Sequence, residues 1–78
     1  MSASKVIKKI LVDKNMSVKD LAEMLGIKAQ VLSNKLYRNT FTYEEYIRIA
    51  HLLGCEVKTI SEDSKIEYIN KYEETEEE

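Results

Sequence analysis

The apolar positions of this chain fall into stretches of helical period, followed by a stretch that alternates. Val6, Ile7, Ile10 and Leu11 recur at helical spacing, which predicts a helix over residues 3–14 with Lys5, Lys8 and Lys9 largely on its outer face. Leu21, Leu25, Ile27, Val31, Leu32 and Leu36 continue the period across Ser17–Arg38 and are spaced to bury one face. Gly26 breaks that segment into two short helices, the second over about residues 28–37. Tyr46, Ile49, Ala50 and Leu53 share one face of a further helix over 42–53, ended by Gly54. Beyond it, Cys55–Ile60 and Lys65–Ile69 are β-leaning and flank Glu62-Asp63-Ser64, which has turn chemistry. A short hairpin is the first reading of this segment, and a helix over 64–72 is the alternative.

Two of the helix starts carry their own signal. Ser17-Val18-Lys19-Asp20 is a capping pattern, in which the Ser17 hydroxyl accepts from the Asp20 amide and the Asp20 carboxylate reaches back to the Ser17 amide. Met16 and Leu21 stand at the staple positions around it. Thr42-Tyr43-Glu44-Glu45 repeats the device, with Phe41 and Tyr46 as its staple. The helix over 28–37 has no such start, because Lys28 stands where Ser, Thr or Asp is preferred. Packing of Val31, Leu32 and Leu36 has to hold it, at roughly 1.5–3 kcal/mol per fully buried side chain.

Composition narrows the function classes. With 78 residues, 44% of them hydrophobic and 33% charged, the chain fits one small soluble domain. Its apolar runs are too short to span a membrane and no export leader is evident, so the expected setting is the cytoplasm. Cys55 is the lone cysteine and His51 the lone histidine, so neither an internal disulfide nor a tetrahedral zinc site is expected. No cofactor or small-molecule ligand is implied. The net charge of −2 hides an asymmetry. Residues 1–60 hold ten Lys/Arg against six Asp/Glu, whereas residues 61–78 hold two against eight. A mildly basic globule followed by an acidic segment is a recognised pattern for a nucleic-acid-binding core with a tail.

The stretch Val18–Tyr37 resembles the helix-turn-helix of the lambda-repressor/Cro-type (XRE-like) family. The resemblance lies in Leu21-Ala22, Leu25-Gly26-Ile27 and Leu32-Ser33, with Ile49-Ala50 and Leu52-Leu53-Gly54 downstream, and it covers roughly residues 3–55. Ala22 is small where the two helices cross, and Gly26 permits the left-handed backbone of a tight turn. The chain departs from the family pattern at Lys28, at Ala29, where relatives place a polar phosphate-contacting residue, and at Lys35, where an apolar residue is common. The resemblance implies a mainly α, four-helix lambda-repressor-like domain over 1–54; an extension over 55–72 follows it, and the acidic composition of 73–78 predicts a disordered tail. It implies a transcriptional regulator, a repressor as first choice, that binds double-stranded DNA with helix 28–37 in the major groove. Gln30, Asn34 and Ser33 would then face base edges, with Lys28 and Tyr37 beside them. Lys19, Lys35, Arg38, Asn39 and Thr40 would hold the DNA backbone. Relatives commonly act as dimers, and residues 55–69 are the expected homodimer element because an exposed β edge can pair with its twin.

Other readings carry less support. The competing class is a helical protein–protein interaction module with no DNA role. Catalysis by His51 and Cys55 lacks oxyanion donors, an orienting side chain and a glycine-rich loop. His51 is read as a packing or surface residue and Cys55 as a small buried apolar one. The acidic run Glu73–Glu78 is read as a solubility device, or alternatively as an inhibitor lying over the basic face of helix 28–37.

Overall fold

The computed structural model describes residues 2–73; the tail reading, apart from Glu73, lies outside the described residues. Four helices follow in order, α1 (Ala3–Asp13), α2 (Val18–Leu25), α3 (Ala29–Arg38) and α4 (Tyr43–Leu52), then strands β1 (Val57–Ile60) and β2 (Glu67–Asn70). Both capping boxes form as their sequences predict. The Asp20 amide donates to Ser17 Oγ at 3.0 Å and the Ser17 amide to Asp20 Oδ2 at 2.9 Å. At α4 the Glu45 amide donates to Thr42 Oγ1 at 3.1 Å and the Thr42 amide to Glu45 Oε1 at 2.9 Å. Helix α3 starts at Ala29 with no side-chain cap from Lys28, so its hold on the fold comes from packing.

The four helices end alike. Asn15, Gly26, Asn39 and Gly54 each take a left-handed backbone conformation, with φ of 56°, 74°, 56° and 74°. In each case the next amide bonds five residues back: Met16 to Leu11, Ile27 to Ala22, Thr40 to Lys35 and Cys55 to Ala50. This six-residue closure satisfies a carbonyl left free at the helix end and turns the chain sharply. Only the two glycines announce these ends in the sequence. Asparagine does the same work less visibly.

The core is Ile7, Leu11, Leu21, Ala22, Leu32, Leu36, Ile49 and Leu53, with Met16, Leu25, Ala29, Phe41 and Tyr46 packed around it. Helices α2 and α3 pack on each other, and α1 lies against both α3 and α4. Two expected core residues are corrected. Val31 is 44% exposed and Ile27 36%. The α3 core is set by Leu32 and Leu36, and Val31 sits about 100° around the helix from Leu32, which carries it to the flank.

The C-terminal segment is a hairpin, as first read, and not a helix. Strands β1 and β2 pair antiparallel, with Val57 opposite Asn70 and Ile60 opposite Glu67. Lys65 takes φ 63° in the connection. There the Ser61 hydroxyl and the Ser64 amide both donate to Asp63 Oδ1 at 2.7 Å, and they hold the Asp63 carboxyl below the usual range, the hydroxyl more than the amide. Ile60, Ile66, Tyr68 and Ile69 are each about half exposed. The ring of Tyr72 lies 5.4 Å from that of His51, which brings the chain after β2 back to α4.

Candidate nucleic-acid interface

At 3.6 residues per turn, Gln30, Asn34 and Arg38 form the stripe of α3 opposite Leu32 and Leu36. Ser33 and Tyr37 flank the stripe on one side, and Val31 and Lys35 on the other. All but Lys35 are exposed, Tyr37 the most at 88%. Gln30 Nε2 donates to Asn34 Oδ1 at 3.3 Å, one turn along the helix. These two carboxamides are therefore joined into one polar unit on the outer surface. Lys28 at the head of α3, Lys19 in the first turn of α2 and Arg38 at the foot of α3 are exposed. None of these three forms an ion pair among the described residues.

Two of the expected contact residues are engaged within the chain. The Lys35 ammonium donates to both oxygens of Glu45 at 3.2 and 3.3 Å and to the Thr40 carbonyl at 3.2 Å. It also lies 5.6 Å from the centre of the Phe41 ring. The Thr42 amide, and beyond it the Lys35 ammonium, hold the Glu45 carboxylate below its ordinary pKa despite partial desolvation. Lys35 thus clamps the α3–α4 loop to the head of α4. Asn39 works at the other side of the same loop, where its Oδ1 accepts from the Ser4 amide at 3.1 Å. Helix α1 is capped twice, by its own Ser2, which accepts from the Lys5 amide, and by an asparagine 35 residues away. The exposed Thr40 completes the loop.

Sequence reasoning missed the exposure of Val31, the Lys35–Glu45 clamp and the Asn39 cap. The first was legible from the helical wheel once Leu32 and Leu36 fix the inner face. The clamp had one trace, since Lys35 departs from an apolar family position and Glu45 already stood in a capping box. The Asn39 cap joins distant parts of the chain, and no local pattern encodes it. His51 is exposed and Cys55 half-buried, with its thiol 3.7 Å from the Leu53 carbonyl. Among the described residues, no group of three or more His, Cys, Asp or Glu is placed to hold a metal ion. No helix there is long and apolar enough to cross a membrane.

The family model for the Cro/C1-type HTH DNA-binding domain matches residues 6–65. The match runs from the first turns of α1 through β1 and into the hairpin connection. No curated protein and no solved structure matches the chain significantly.

Proposed function

Because the chain belongs to the Cro/C1-type helix-turn-helix DNA-binding family, we propose that it is a sequence-specific transcriptional repressor that inserts α3 into the major groove of double-stranded DNA. The observation that carries this reading is the outer stripe of α3. It is polar and free of the core, and Arg38 on it and the nearby Lys28 and Lys19 form no ion pair among the described residues. Gln30, Ser33 and Tyr37 meet the base edges, with Asn34 among them and bonded to Gln30. Lys28 meets base or phosphate. Lys19, Arg38, Asn39 and Thr40 fix the register on the backbone, and Lys35 supports them from within its clamp. Occupying a promoter site obstructs other proteins sterically, so the proposed effect is repression.

One short helix reads few base pairs, which favours a two-fold dimer on a palindromic site. We place the dimer contact in the extension 55–72, apart from the helical unit 1–54. Four large apolar side chains lie half exposed on the hairpin, and a two-stranded sheet is marginal alone. A second copy of the hairpin supplies both apolar cover and edge pairing.

Selection of bound sequences from a random duplex library tests the whole reading. The expected outcome is a recovered motif with two related half-sites, and affinity that falls steeply as salt rises. Changing Arg38 to Ala should weaken binding evenly across sequences and lower the log–log salt slope by about one. Absence of DNA binding at low salt overturns the proposal and favours the protein-interaction class.

A further inference from the structure

Val31 and the bond between Gln30 and Asn34 give the outer surface of α3 a more specific chemistry than a polar stripe. A glutamine that donates one Nε2–H to Asn34 Oδ1 keeps its second N–H and its carbonyl oxygen. Those two groups are the complement of adenine in the major groove, where N7 accepts and the N6 amino group donates. The intramolecular bond costs Gln30 none of that capacity. It removes rotamer freedom that the free side chain would otherwise lose on binding. Asn34 has its oxygen turned to Gln30.

Val31 stands beside this pair. It lies three residues before Asn34, hence next to it on the helix surface, and 44% of it is open to solvent. An apolar, β-branched side chain there is left nearly half uncovered by the described residues. The apolar feature of the major groove is the 5-methyl group of thymine.

We propose that α3 reads an A·T step through two side chains with distinct chemistry. Gln30 recognises adenine, Val31 packs on the methyl group of a neighbouring thymine, and Asn34 is a positioning residue that holds Gln30. This rests on the reading of α3 as the major-groove helix.

The test uses the full chain and a duplex recovered by selection. Replacing thymine by uracil, one position at a time, removes only the methyl group. The wild-type chain should lose about fourfold in affinity at one position of each half-site, the value of one methyl-sized group. Val31→Ala should lose about as much on the thymine duplex and be indifferent to uracil at that position. Gln30→Ala and Asn34→Ala should each relax the adenine preference, and both at the same base pair. The double variant should go no further than Gln30→Ala alone. All these sites are on the surface, and an unchanged circular dichroism spectrum confirms the fold.

Relaxation at two different base pairs would show that Asn34 reads a base of its own, and would overturn its positioning role. Equal uracil sensitivity in wild type and Val31→Ala would overturn the methyl contact. A wild-type chain that binds no duplex at low salt would instead remove the functional reading beneath both.

Discussion

Asn15 and Asn39 stand at equivalent places, each the left-handed residue that ends a helix. Most L-residues pay roughly 1–2 kcal/mol for that backbone, and glycine pays least. The Asn15 side chain makes no hydrogen bond among the described residues, so Asn15→Gly should hold or raise stability. Asn39 also caps α1 through the Ser4 amide. Asn39→Gly keeps the easy backbone but strips a cap, at a cost of about 1 kcal/mol. The two variants should therefore separate in urea midpoint, and equal midpoints would contradict the capping role. Both asparagines are plain in the sequence. What is not plain is which of them has a partner, since that depends on where α1 comes to rest.

At the scale of elements, the starts of α2 and α4 were legible because a capping box needs only four consecutive residues. The inner face of α3 was legible in Leu32 and Leu36 but not at Val31, and Ile27, in the turn before α3, is likewise exposed. Apolar identity alone does not say which side of a helix a neighbour covers. Electrostatics adds a pH dependence to α4. The Glu45 carboxyl sits below its ordinary value of 4.5 in the folded chain, chiefly through the Thr42 amide. Its contribution to stability is therefore complete above that value and is lost as pH falls through the lowered one. Glu45→Gln should be less stable than wild type in urea at neutral pH, with the gap closing in acid below the lowered value. A gap that persists unchanged through the acid range would show that the carboxylate charge is not what matters.

The whole molecule joins two parts of unequal solidity. The helices share one core, whereas the hairpin keeps its large apolar residues half exposed. Its most evident cross-strand tie is the Lys58–Glu67 pair at 3.0 Å, an exposed contact of the kind worth little by itself. The sequence favoured a hairpin here but left a helix over 64–72 open, because its strands are four residues long and only partly alternate. A homodimer through the hairpin gives a direct expectation. Wild type should dimerise at high micromolar concentration in a sedimentation experiment, and Ile69→Lys should stay monomeric with its helices intact. A wild-type chain that is monomeric with and without DNA would remove the dimer.

The matching helix ends have a consequence for how quickly the chain reaches its structure. Each helix carries its own stop within six residues, so the helix boundaries are specified before distant segments meet. Local encoding of this kind keeps the entropy of loop closure small and favours rapid folding. The bond from Ser4 to Asn39 is of the opposite sort, since it must wait until the beginning of the chain finds the foot of α3. It belongs with the packing of α1 on α3 and α4, which the local stops do not specify.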